Sequence, residues 1–174
     1  MSGFSETAMA KGRRWDRAAD LVGKVWNGPN TLLGLLYGAV GMGIGAILHL
    51  LTERPAPGVR WRHNAVQFTH NPFGGAGAIT IGNASVYFDD PYSPEGRRTW
   101  AGVEAREGHP IWEHERQHTL QGQLLGPLYL PSNLLGGLNA LIHGENWWGP
   151  HNWNERGPQR HPPRPWAPRR GGRS

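Results

Sequence analysis

Cysteine is absent from all 174 residues. That excludes a disulfide scaffold, a thiolate metal site and a cysteine nucleophile. Any metal must therefore be held by His, Asp and Glu. Apolar residues are scarce at 37%, while Gly (26) and Pro (15) are abundant, together about twice their usual share. Both interrupt helices, so a long coiled coil or helical bundle is excluded. No Gly-X-Y period marks a collagen strand. The length suits one domain, or a small domain with tails.

Acidic residues are missing from 156–174, which carries six Arg. Residues 1–30 carry five basic and three acidic side chains, and residues 31–155 seven Arg against ten Asp or Glu. The net charge of +5 therefore belongs to the ends, and the body offers no phosphate-tracking surface. The nine Trp residues are scattered and build no stacking platform for single strands. Gly74-Gly75-Ala76-Gly77 lacks the Lys-Ser/Thr of a phosphate loop. No specific nucleic-acid partner is expected, and the Arg-rich tail reads first as a solubilising segment.

Charge of either sign is missing from Thr31–Leu51, a run of 21 residues long enough to cross a bilayer. Gly34 and Gly38 stand in a GxxxG spacing, followed by Gly41, Gly43 and Gly45. The five glycines and His49 argue against simple spanning, so the run reads either as a membrane-contacting helix or as one buried behind a sheet. It starts too late, and lacks a small-residue cleavage site after it, for a secretory signal peptide. The expected location is thus membrane-associated, or exported without such a peptide.

Four segments follow from the pattern. Residues 1–30 are polar, with a short amphipathic helix over Trp15–Val22 and a stop at Gly28-Pro29 before an N-cap. Residues 31–51 are the uncharged run. Residues 59–156 form the main domain: β-structure over 59–69 and 77–88, the second a hairpin turning at Gly82-Asn83, then a polar loop from Asp89 to about Gly108. Pro110 opens a helix over Ile111–Leu125 that Gly126-Pro127 ends, and the apolar stretch Leu128–Ile142 is split by Pro131 and Gly136-Gly137, so that a shorter second helix begins near Pro131. Residues 157–174 are a Pro/Arg-rich tail read as extended or disordered.

The helix Ile111–Leu125 contains His114-Glu115-Arg116-Gln117-His118, an HExxH sequence. Positions i and i+4 share one helical face, so both imidazoles can reach one ion. Glu115, one step around the helix, is placed to act as general base on a water held by that ion. With nine His and nine Glu in the chain, shuffling yields one such match in about 2% of sequences, and this match falls on the best-delimited helix. A catalytic zinc site has three protein ligands. Downstream of His118, the candidates for the third are His143, Glu145, His151 and Glu155, and spacing does not choose among them. Gln121, one turn after His118, is either a ligand-orienting amide or an ordinary polar position. Thr119 is similarly ambiguous. Tyr129 and His151 are candidate oxyanion donors.

The stretch His114–Pro131, HERQHTLQGQLLGPLYLP, resembles an uncharacterised bacterial family of zincin-type metallopeptidases with an HExxHTxQ…LGPLYLP core. The resemblance extends through Asn64–Phe68, Asn71–Gly75, Ala78–Asn83 and Asn152–Pro158, and so covers most of residues 30–158. Members occur among bacterial proteins associated with secretion or toxin-like modules. The family pattern has a glutamate matching Glu155, which favours Glu155 as third ligand.

Together these readings predict a small α+β, zincin-like domain: a short β-sheet packed on the HExxH helix, with a hydrophobic N-terminal helix. The expected activity is zinc-dependent hydrolysis of a peptide or protein substrate, with His114, His118 and Glu155 as ligands and Glu115 as base. The competing expectation is a non-catalytic, metal-stabilised or membrane-inserting interaction module of a secreted bacterial effector.

Overall fold

The computed structural model describes residues 17–75, 77–93, 110–159 and 165–166. It is α+β, as expected, with a four-stranded mixed sheet. Helix α1 covers residues 17–26, and only Asn27 separates it from α2, Gly28–Leu51. The expected stop at Gly28-Pro29 is therefore a helix start instead. Pro29 sits in the first turn, where its missing N–H has no helical partner to lose.

Strands β1 (Gly58–Arg62) and β2 (Ala65–Thr69) split the expected 59–69 segment into a hairpin. His63 and Asn64 take positive φ at its tip, the signature of a two-residue turn whose twist matches the strands. Strands β3 (Ala78–Ile81) and β4 (Ala84–Tyr87) form the second hairpin around Gly82-Asn83, as the sequence indicates. The hairpins join through a parallel pairing of β2 with β4, giving the order β1-β2-β4-β3.

Alternation along the strands gives the sheet two faces. Phe68, Ala84 and Val86 form the apolar core on one, with Leu35, Tyr37 and Met42 of α2 packed against it. Helix α2 approaches through its glycines. A Cβ on Gly38 would lie 2.3 Å from the Phe68 ring, and one on Gly34 2.2 Å from the Ile81 carbonyl. The helix is thus neither wholly buried nor detached: the glycine face is covered, and Leu32, Leu33, Leu36, Leu50 and Leu51 turn outward.

In the register, Gln67, Ser85 and Thr80 form one row across three strands on the other face. All three are buried, with Thr80 and Ser85 sharing a 2.8 Å hydrogen bond and the Tyr92 hydroxyl donating to Gln67 at 2.8 Å. Buried polar groups need such partners. A second polar network fixes the α1–α2 junction. Fully buried Asn27 donates to Asn83 (3.0 Å), and Asn30 donates to Asn27 (3.1 Å) and to the Gly126 carbonyl (2.7 Å).

Helix α3 spans Ile111–Leu125 and packs against β3, as the sequence predicts in place and extent. Gly126, at φ +55°, ends it. A 3-10 turn, Gly126–Leu128, then leads into α4, Tyr129–Ile142. Gly136-Gly137 do not split α4. They lie inside it and admit the chain that follows: a Cβ at Gly136 would meet Asn152 Oδ1 at 2.3 Å, and one at Gly137 the Trp147 ring at 2.1 Å. A short helix α5, Trp153–Arg156, closes the fold. Residues 1–16, the 94–109 part of the loop and most of the 157–174 tail lie outside the described residues.

Candidate metal centre

Helix α3 presents His114 and His118 one turn apart, with their Nε2 atoms 3.0 Å from each other. Helix α5 brings Glu155 between them, its Oε2 3.3 Å from His114 Nε2 and 3.4 Å from His118 Nε2. A tetrahedral ion with ligand bonds of about 2.0–2.1 Å requires ligand–ligand edges of roughly 3.3–3.4 Å. The three atoms already stand close to that triangle.

Local sequence explains why Glu155 arrives. The Asn152 side chain caps α5 by accepting from the Asn154 N–H at 3.0 Å, and Asn154 Nδ2 donates to Ser132 Oγ of α4 at 3.1 Å. Asn152 and Asn154 are fully buried. They seat Glu155 against α4 at the point that Gly136 leaves open.

His118 is also oriented from behind. Gln121 Nε2 donates to the carbonyls of Asn154 (2.8 Å) and Pro165, which fixes the amide so that Oε1 faces His118 Nδ1 at 2.9 Å. Nδ1 therefore carries a hydrogen, and Nε2 is the nitrogen turned toward the triangle. Burial works to lower the His118 pKa, but the Glu155 carboxylate, Glu115 and the Gln121 bond prevail and push it up to about 9. The negative field that favours a proton there would favour a cation as well. Burial works to raise the Glu155 pKa, but His118 and His114 hold it well below the usual carboxylate range.

Glu115 is 4% exposed and Glu155 3%. The Oε2 atoms of both have no hydrogen-bond partner among the described residues. Two buried carboxylates beside two imidazoles make a site in which a divalent cation would balance the negative charge. The donor set of two imidazoles and one carboxylate is also one that zinc accepts. His114, His118 and Glu155 thus fit a zinc ion.

The triangle lies in a cleft of about 360 Å³. Its walls include Glu115, Tyr129, Trp147 and the whole of β3, an edge strand. Tyr129 is buried, and its ring centroid is 6.4 Å from that of His118. Burial, Glu155 and Glu115 all raise its pKa, so the hydroxyl keeps its hydrogen. Asn133 Nδ2 donates to the Tyr129 oxygen at 3.4 Å, which leaves that hydrogen free to be given to a ligand.

The other candidate ligands gather elsewhere. His151 Nδ1 lies 2.6 Å from Glu145 Oε1, and its ring stacks on His143 at 4.0 Å, in an exposed cluster after α4. Thr119, wholly buried, donates to the Glu115 carbonyl at 3.4 Å and plays no part in the triangle. Sequence reasoning missed the β3 wall, Asn133 and the Pro165 carbonyl. Only the Pro165 contact left no trace in the sequence, since a backbone carbonyl in a Pro/Arg-rich tail has no residue signature.

A Gln121→Ala variant is expected to lose about 10–100-fold in zinc affinity, measured by competition with a chromogenic chelator, while His114, His118 and Glu155 remain. Unchanged affinity would make Gln121 an ordinary helix position.

Comparison of the chain with family models, with curated proteins and with solved structures finds no match.

Proposed function

We propose that the protein is a zinc-dependent peptide hydrolase of zincin-like type, as the resemblance of its HExxH segment implies. One observation carries the reading: two imidazole nitrogens and a carboxylate oxygen converge within 3.0–3.4 Å on the wall of an open cleft, beside the buried Glu115, whose Oε2 has no hydrogen-bond partner among the described residues. Three protein ligands facing a cleft leave a coordination position for a reactant, whereas structural zinc sites are closed by four.

His114, His118 and Glu155 would hold the ion, which when bound supplies Lewis acidity and lowers the pKa of water in its coordination sphere. The remaining work falls to side chains of the cleft. Glu115, whose Oε2 has no hydrogen-bond partner among the described residues, accepts the proton of the attacking water and returns one to the leaving amine nitrogen. Tyr129 donates its hydroxyl hydrogen to the oxygen that gains charge as the carbonyl becomes tetrahedral. As the edge strand on the cleft wall, β3 offers main-chain N–H and C=O groups to an extended peptide, which supports a peptide as the substrate.

The reading predicts that zinc-loaded protein cleaves members of a fluorogenic peptide library, that a chelator abolishes cleavage, and that added zinc restores it. A protein that binds zinc at this triangle, gains thermal stability from it and cleaves nothing would instead be a metal-stabilised interaction module.

A further inference from the structure

The covered glycine face of α2 leaves an opposite face of unusual character. Leu32, Leu33, Leu36, Val40, Ile44, Ile47, Leu50 and Leu51 are all exposed. They run the length of a 24-residue helix, about 36 Å long, and no charged residue stands between Thr31 and Leu51. A second stripe lies on α4, where Leu134, Leu135, Leu138, Leu141 and Ile142 are exposed. The Gly126–Leu128 turn connects the two. It packs against the start of α2, with Asn30 bonded to the Gly126 carbonyl and exposed Leu124 and Leu128 on either side. Soluble monomers rarely expose apolar patches beyond a few hundred Å².

We infer that this surface seats the protein on an anionic phospholipid bilayer, with α2 lying in the plane of the interface rather than crossing it. Length and hydropathy alone would permit crossing. Packing argues against it. Gly34, Gly38, Gly41 and Gly45 hold the middle of α2 against Ile81, Phe68, Asn71 and Pro72. A transverse α2 would therefore drag the sheet, with its buried Gln67, Thr69 and Ser85 and its open edges, into hydrocarbon. Only helices and closed barrels satisfy their backbones there. Laid flat, the outer leucines dip about 5–10 Å into the acyl boundary and the sheet stays in water.

Charge selects the occupant. A second copy would bring another +5 against the first, whereas anionic lipid attracts it. The six Arg of 156–174 add a polybasic signal to the apolar one. The seating also bears on the substrate, a step that rests on the hydrolase reading while the seating does not. Leu134 belongs both to the exposed stripe and to the cleft wall. The cleft thus opens beside the apolar surface and would receive a polypeptide lying at the membrane surface.

Flotation of the full chain with vesicles tests the seating without any assay of hydrolysis. The probes are vesicles of phosphatidylcholine alone and of phosphatidylcholine with about one quarter phosphatidylglycerol. The protein is expected to float with both, more completely with the anionic vesicles, and to stay bound at about 1 M salt, where surface charge is screened within roughly 3 Å. The triple variant Leu36→Glu, Val40→Glu, Ile44→Glu is expected to lose at least tenfold of its partitioning, with zinc content and circular dichroism unchanged. Equal flotation of the variant, release by salt, or a vesicle-blind protein that dimerises through α2 would overturn the inference.

Depth separates lying from crossing. The chain has no cysteine of its own, so single Leu32→Cys, Val40→Cys and Ile47→Cys variants can each carry one fluorophore. Brominated lipids are expected to quench all three at one shallow depth. A maximum at the bilayer centre for position 40, flanked by shallower ends, would mean that α2 crosses.

Discussion

Replacing His114 and His118 together by alanine is expected to lower bound zinc from about one ion per chain to background in elemental analysis. The argument is geometric. The two Nε2 atoms and Glu155 Oε2 form a triangle with edges of 3.0, 3.3 and 3.4 Å, and removing two corners leaves a single carboxylate. Each single variant is expected to lose more affinity than Gln121→Ala, that is, more than about 100-fold, because it removes a ligand and not the group that orients one. Alanine at both positions also leaves Glu115 and Glu155 buried without a partner charge, so the fold itself will be weakened. Glu155→Gln keeps the volume and removes one anionic corner, and it is expected to lose zinc while remaining folded. Affinity should also climb with pH. His118 holds its proton up to about 9, and zinc must displace that proton, so loading below pH 9 releases it to the buffer. Metal stoichiometry that is unchanged in the double variant and in Glu155→Gln would place the ion elsewhere.

Local signals made part of this architecture legible. Pro110 and Gly126-Pro127 bracket α3 because a proline suits a helix start and a glycine accepts the positive φ that ends one. The HExxH spacing places two imidazoles on one face from helical geometry alone. The Gly82-Asn83 turn marks the β3–β4 hairpin for the same kind of reason. Where the sequence misled, long-range contact decided. Gly136-Gly137 look like a break, yet they are the gap into which Asn152 and Trp147 fit. That gap in turn lets α5 carry Glu155 to the histidines 37 positions after His118. Nothing local to Glu155 distinguishes it from Glu145, which pairs with His151 instead. The parallel β2–β4 pairing likewise depends on the crossover between two hairpins and has no signature in either. Helix α2 was ambiguous because hydropathy sums over a whole segment, while its glycines and leucines divide it into two faces with different neighbours.

Glu115→Gln should separate binding from chemistry. Glutamine has nearly the shape of glutamate, and Glu115 is not a corner of the triangle formed by His114, His118 and Glu155. The variant is therefore expected to hold zinc with wild-type stoichiometry. What the amide cannot do is take a proton. The carboxylate oxygen that has no partner among the described residues becomes an amide group with no basicity near neutral pH, and general-base assistance is commonly worth about 10²–10⁴-fold in rate. Cleavage of any peptide that the wild-type protein hydrolyses is expected to fall by that factor in kcat, with little change in KM, because the peptide contacts proposed for the β3 edge are left in place. Glu115→Asp is the companion experiment. It restores the carboxylate one methylene short, and a partial recovery of kcat, above Glu115→Gln and below wild type, would mark the residue as a proton carrier and not a packing element. Equal rates for wild type and Glu115→Gln would remove Glu115 from the mechanism, and the triangle would then need another base.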